Sequence, residues 1–217
     1  MFKSRHPLLS SNSLSHINRQ CCQLNLVETT RERLEILEKI WGVIFMDRGL
    51  IPCIIEVCMK SLMEAIDINK NSIEVLQSIT SVLKCLTSHE SSALFIDEYF
   101  LRSIEYLLKV DHTTLTTRCC AADCITHSIE YIGYSLVEVI FAKTNLVLLL
   151  RDLTLHPDNA AQISGMRTLW RLGFHKLEIQ QQLLIELGVD RVQRLRHTSK
   201  CKKVQELAQG ILVMFSV

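Results

Sequence analysis

Glycine and proline are scarce in this chain of 217 residues, at 7 and 3. A strand-rich fold with many tight turns needs more of both, so long helices joined by short connections are expected. Long apolar runs are missing too. The richest stretch, 146–150, is followed at once by Arg151 and Asp152, far short of the roughly 18 apolar residues of a membrane span. An excess of one charge is also absent. The chain has 24 Lys and Arg against 23 Asp and Glu, a formal net charge of +1, so no global field points to nucleic acid or to a membrane surface. The glycines are isolated, which excludes a glycine-rich phosphate loop. A content of 48% apolar and 22% charged residues excludes disorder. Nine cysteines form an odd number, and no hydrophobic signal segment precedes them. Several, including Cys53, Cys58, Cys85 and Cys124, fall on apolar helical faces. They are expected as reduced thiols of a cytoplasmic, or nuclear, protein.

What the chain does have is a period. A small or aliphatic residue, then an aliphatic residue four later, then a third residue three later, recurs five times. The copies are Ile36/Ile40/Val43, Ile79/Leu83/Leu86, Ala121/Ile125/Ser128, Gly165/Leu169/Leu172 and Ala208/Leu212/Phe215. The middle members advance by 43, 42, 44 and 43 residues. A fixed step of this size in a helical pattern predicts a solenoid of stacked helical units.

Hydrophobic spacing and breakers place helices at about 29–45, 52–66, 73–87, 91–97, 100–110, 116–132, 136–142, 145–153, 160–174, 177–187, 189–197 and 199–217. Thr29 and Glu32 have the spacing of a capping box. Gly49 suits a left-handed helix stop, and Pro52 the first turn of the following helix. Asn69–Ser72 is expected to cap the helix from 73, and Gly133 to end the one before it. Residues 1–28 stand apart as a polar leader, with Lys3, Arg5 and Arg19 but no acid before Glu28. They fit a transit peptide, a flexible leader or a remnant of a preceding repeat. Leu14, Ile17, Cys21 and Leu24 have helical spacing, which favours the packed remnant. The helical domain is then 29–217.

From 175 to 217 the chain resembles an armadillo repeat. A short helix ends in Ile185, Glu186, Leu187 and Gly188. A second helix carries Val189, Val192 and Leu195. A longer third helix holds Ala208 four before Leu212. Gly49, Leu50, Ile51 and Pro52 resemble the junction into a second helix. The resemblance covers roughly 31–217 and implies an all-α, armadillo-like right-handed superhelix of about four repeats. The first unit departs toward a two-helix HEAT form, with no short first helix before Gly49. Many armadillo proteins hold an extended peptide on a ladder of Asn along the concave third helices. The equivalent positions here are Gly42, Cys85, His127, Arg171 and Met214, and none is Asn. Binding in the manner of import receptors or catenins is therefore not implied.

Candidate chemistry is sparse. Cys120, Cys124 and His127 share a helix face and could give three zinc ligands, although a small-residue core seam explains the cysteines without metal. Cys119 with His112 or His127 could suggest a nucleophile and base, but no oxyanion motif accompanies them. No cofactor, metal or catalytic residue is assigned, and the chain is not expected to be an enzyme. The one strong charge cluster is Arg191, Arg194, Arg196, His197, Lys200, Lys202 and Lys203, which could hold an acidic peptide, a phosphate or nucleic acid. No aromatic residue interleaves it, which disfavours single-stranded nucleic acid.

Trp170, Arg171 and His175 fall on or near the expected concave side, where Arg171 would favour an acidic partner. Trp41 and Trp170 are expected mainly in the core. The last helix is apolar nearly all round, which suggests a longer chain, self-association, or capture of Val217 by a partner. The functional expectation is a protein-binding scaffold or adaptor using the concave face, with Arg171, Trp170, His127, His175, Arg191, Arg194 and Lys202 as candidate contacts. The alternative is a binder of nucleic acid or anionic lipid through 191–203, nucleic acid being the less favoured partner.

Overall fold

The computed structural model describes residues 7–46, 48–109, 111, 113–174 and 177–215. All regular structure among them is helical. The chain divides into two compact units, Met1–Ser103 and Ile104–Val217.

The first unit contains α1 (Pro7–Leu24), α2 (Thr30–Met46), α3 (Ile51–Ile68) and α4 (Ile73–Thr87), with 3-10 turns at Arg48–Leu50 and Glu90–Phe95. The capping box is present. The Glu32 N–H donates to Thr29 Oγ1 at 3.2 Å, and the Glu32 carboxylate accepts from the Thr29 N–H at 3.3 Å and the hydroxyl at 2.7 Å. These bonds favour the ionised acid and lower its pKa. Pro52 lies in the first turn of α3, where its missing N–H has no intrahelical partner to lose. Ile54, Ile55, Cys58, Met59, Leu62 and Ile66 of α3 are fully buried. Each such side chain contributes roughly 1.5–3 kcal/mol relative to an exposed one. They pack against α1, whose Ile17, Cys21 and Leu24 are buried, and against α4.

Three expectations about this unit are corrected. Gly49 is not left-handed: it lies within the 3-10 turn Arg48–Leu50, and Gly133 and Gly188 are the positive-φ residues among those described. The chain tightens directly from that turn into α3 and needs no left-handed stop. Asn69 ends α3 rather than capping α4. Its Nδ2 donates to the Ala65 carbonyl at 2.7 Å, and Ser72, the residue at the start of α4, makes no side-chain cap bond. Finally, not every thiol is free. Cys21 of α1 and Cys58 of α3 form a disulfide, with Cα atoms 5.7 Å apart. Apolar helical spacing, which assigned both as buried thiols, carries no information about a facing sulfur 37 residues away.

The second unit contains α6 (Leu115–Ile132), α7 (Tyr134–Lys143), α8 (Leu146–Thr154), α9 (Asn159–Gly173), α10 (Leu177–Leu187), α11 (Val189–Thr198) and α12 (Lys202–Phe215). A further helix, α5 (Glu98–Leu108), runs across the division between the units. Thr114 caps α6 by accepting the Thr117 N–H at 3.1 Å, and Asp158 caps α9 by accepting Ala160 N–H at 2.8 Å and Ala161 N–H at 3.1 Å. Gly133 ends α6 at φ +70° and Gly188 separates α10 from α11 at φ +71°, conformations that side chains resist.

Helix α9 is the hub of this unit and packs on α6, α8, α10 and α12. Gly165 explains its closest approach. A Cβ there would lie 2.8 Å from Thr154 Oγ1 and 2.9 Å from both the Leu150 carbonyl oxygen and the Thr154 nitrogen. Only glycine admits α8 at that distance. The α6–α9 seam is polar in part: Thr126 and Thr168 hydroxyls are 2.8 Å apart, and Thr168 Oγ1 also lies 3.1 Å from the Ala122 carbonyl oxygen, all of it buried. The repeating triplets fall on α2, α4, α6, α9 and α12. The three middle copies are buried throughout, whereas Val43 of the first and Leu212 and Phe215 of the last are half-exposed.

Candidate functional site

Three of the helices that carry the triplets also carry candidate binding residues one or two positions beyond the buried aliphatic: Trp41 on α2, His127 on α6, and Trp170 and Arg171 on α9, none of them fully buried. In the first unit the triplet helices are α2 and α4, which pack together. Trp41 is 39% exposed, which corrects its expected core role. The buried stripe of α2 runs through Ile36, Leu37, Ile40 and Ile44 and leaves the indole at its edge. Trp41 borders two neighbouring clefts. One, of about 300 Å³, is lined also by Leu37, Glu38, Gln77, Ser78, Ser81 and Val82. The other, of about 170 Å³, is lined also by Ile44, Phe45, Arg48, Ile51, Cys85 and Ser88. Phe45 and Met46 at the end of α2 are 72% and 85% exposed. These clefts were not read from the sequence. The available signal was that Trp41 precedes ladder position Gly42 as Trp170 precedes Arg171.

In the second unit, Arg171 of α9 is paired with Glu130 of α6 at 2.7 Å, and Arg167 with Asp123 at 3.7 Å. The charge of Arg171 is thus answered within the unit. His127, one turn before Glu130, is half-buried. Trp170 is half-buried and packs edge-on against Phe174, with ring centres 5.0 Å apart. Its indole also lies over Gly210 of α12, where an added Cβ would be 3.4 Å from Nε1. Trp170 therefore belongs mainly to the α9–α12 contact. Met214, the last ladder position, is buried against Gly173 and offers nothing to a surface. His175, His112 and Val217 lie outside the described residues.

Arg191, Arg194 and Lys202 lie elsewhere, on α11 and at the start of α12. All are exposed, and among the described residues they make no ion pair. The structure thus brings His127, Trp170 and Arg171 to the α6–α9 face and leaves the basic residues as a separate group.

Cys119 is a poor nucleophile: burial, then the nearby Asp123 carboxylate, raises its pKa and holds it as the thiol. Burial likewise raises Cys85. Among the described residues no group of three or more His, Cys, Asp or Glu is placed to hold a metal ion, and no helix is long and apolar enough to cross a membrane.

The fold these helices build is an armadillo-like helical repeat, and designed armadillo repeat proteins are among the solved structures similar to this chain. An engineered protein matches with a TM-score of 0.77 and 17% identity over 93% of this chain, which spans about half, 48%, of that protein's length. A designed armadillo repeat protein in complex with the peptide (KR)4 matches with a TM-score of 0.53 and 15% identity, covering 92% of this chain and 99% of the other. Computationally designed armadillo repeat proteins for modular peptide recognition match at 0.60 and 14%, with the same coverage. No protein-family model matches the chain, and no curated protein matches it significantly.

Proposed function

We propose that this protein is a non-enzymatic interaction scaffold that binds a segment of another protein across the face formed by α2 and α4. The observation that carries the proposal is Trp41. An exposed indole between two clefts, with Glu38, Gln77, Ser78 and Ser81 beside it, offers an apolar anchor ringed by hydrogen-bonding groups. Such anchors concentrate binding energy at protein interfaces. An armadillo-like repeat fold is a fitting frame, since extended repeat surfaces serve as binding faces. The half-buried Cys119 thiol, held in its protonated form, supports a non-catalytic reading. The α6–α9 face with His127 and Arg171 is the second candidate face, and its Arg171–Glu130 pair favours a partner segment of mixed charge over a purely acidic one.

The test is selection of random extended peptides by display on the whole chain, followed by affinity measurement on variants. Peptides bound at the proposed face should lose about tenfold or more in affinity with Trp41→Ala or with Ser81→Trp, which fills the cleft. Undiminished binding to both variants would move the site elsewhere, and loss on Arg171→Glu alone would place it on α6–α9.

A further inference from the structure

Three residues before each repeating triplet the chain places Arg33, Leu76, Arg118, Gln162 and Gln205. Each is the fourth residue of its helix, α2, α4, α6, α9 or α12. Leu76 is apolar and fully buried, and Gln162 is buried but neutral. Arg33 and Gln205 are half-exposed. Each donates to the carbonyl six residues earlier, Arg33 to Val27 at 2.7 Å and Gln205 to Ser199 at 2.8 Å. Arg118 differs from all of them. It is a cation only 8% exposed, and its Nε is shut off from solvent without a partner. Among the described residues its side chain makes no hydrogen bond and no ion pair. A guanidinium cannot shed its proton to escape the cost of burial. The acids whose charge reaches the neighbouring Cys119 are committed elsewhere. Asp123 pairs with Arg167 at 3.7 Å, and Asp158 caps the start of α9.

The helix adds to the imbalance. Arg118 stands near the N-terminus of the 18-residue α6, whose dipole disfavours a cation, and the first turn of α6 holds no acid. Helical side chains lean toward the N-terminus, so the guanidinium covers the turn whose N–H groups lack intrahelical acceptors. Thr114 accepts one of these, the Thr117 N–H, at 3.1 Å. The Leu115 and Thr116 N–H groups have no acceptor among the described residues. We propose that the start of α6 is a binding site for a phosphate group, held by the Arg118 guanidinium and the Leu115 and Thr116 N–H groups. Two independent features call for this ligand. A buried, unpaired cation needs a counter-charge, and a helix N-terminus presents N–H donors and a positive end to an anion. The planar fork of arginine matches two oxygens of a phosphate, and the charge of that group answers both the guanidinium and the dipole. The site lies within the second unit and does not depend on the Trp41 face.

The experiment uses the whole chain with inorganic phosphate as the probe, while chloride holds the ionic strength constant. The melting midpoint should rise and saturate, by about 3–6 °C at roughly tenfold excess over the dissociation constant. Phosphorus-31 lines of the ion should broaden when wild-type protein is added. Arg118→Met, uncharged and of similar length, should remove both responses and melt no lower than the wild type without phosphate, since the buried charge is gone. Arg118→Lys keeps the charge but loses the fork, so half-saturation should need about tenfold more phosphate. Phosphoserine amide is the second arm. Tighter binding than free phosphate would make a phosphorylated protein segment the source, and weaker binding the free ion. Equal stabilisation of wild type and Arg118→Met by phosphate would be exclusion of the salt from the surface, and would overturn the proposal. Unbroadened phosphorus-31 lines with the wild type would overturn it without recourse to any variant. So would acetate binding as tightly as phosphate.

Discussion

Replacing Gly165 with alanine tests whether the α8–α9 approach depends on a missing methyl group. Alanine is the better helix former by roughly 1 kcal/mol, so an unobstructed helical glycine gains stability from the change. At Gly165 the new Cβ would meet Thr154 Oγ1 at 2.8 Å and two backbone atoms, Leu150 O and Thr154 N, at 2.9 Å. A side chain could rotate away, but the α8 backbone cannot, because Leu150, Leu153 and Thr154 are buried on both sides of the contact. Overpacking by one methyl costs about 1–3 kcal/mol, which leaves a net loss of roughly 0–2 kcal/mol. Gly210 in α12 is the control in the same unit. Its added Cβ would sit 3.4 Å from Trp170 Nε1, ordinary contact, so alanine there should gain about 0.5–1 kcal/mol. The two variants should thus melt about 1–12 °C apart, with Gly210→Ala above the wild type and Gly165→Ala at or below it. Circular dichroism melts and urea titrations read the difference. Combining Gly165→Ala with Thr154→Ala removes the hydroxyl clash but neither backbone clash, so rescue should be partial. Gly165→Ala melting as high as Gly210→Ala would refute the close-crossing argument.

Other measurements probe separate parts of the chain. Gly188→Ala meets open space but imposes φ +71° on alanine, so it should cost about 1–3 kcal/mol with no steric clash, seen as a lower urea midpoint. Thr168→Val should cost about 1 kcal/mol, and pairing it with Thr126→Val should cost less than the sum of the two, measured in a double-mutant cycle. Burial, and next the hydrogen bond donated to Asp67 at 2.7 Å, push the Tyr99 phenol up to about 12. The folded state retains that proton where the unfolded chain loses it near pH 10, so stability should fall between about pH 10 and 12. Tyr99→Phe should flatten that limb. The same bond lowers Asp67, whose contribution should be lost as pH falls through its folded pKa, below the unfolded value near 4. Thiol titration of denatured protein prepared without reductant should count seven cysteines, and nine after reduction; nine in both would remove the Cys21–Cys58 bond.

The parts of the fold that were legible are those written locally. Thr29 with Glu32, Gly133 and Gly188 act within a turn of their own positions, so their roles could be read directly. The period was legible because Leu83, Ile125 and Leu169 repeat one packing task in one phase. The site was less so. Trp41 leaves the core because the α2 stripe centres on Leu37, Ile40 and Ile44, and its clefts form only where α4 brings Gln77, Ser78 and Ser81 alongside. Arg171 was placed correctly on its helix, but Glu130 answers it from a helix 41 residues earlier, and no pattern within α9 reveals that. The Cys21–Cys58 and Asp67–Tyr99 pairings are non-local in the same way. Gly49 misled because glycine permits a left-handed turn without requiring one.

The buried hydroxyls of Thr126 and Thr168 bear on how such a chain tolerates change in length. Aliphatic side chains alone would let α9 slip by a turn against α6 at small cost, since leucine meets leucine in either setting. A slip of about 5.4 Å along the axis would break the bonds that cross the seam and leave each hydroxyl only the carbonyl four residues before it on its own helix. The threonines therefore work as an index mark between adjacent helices. Insertions in this region belong in the connections, such as 155–158, where the step between layers already stretches to 44 residues without disturbing the mark.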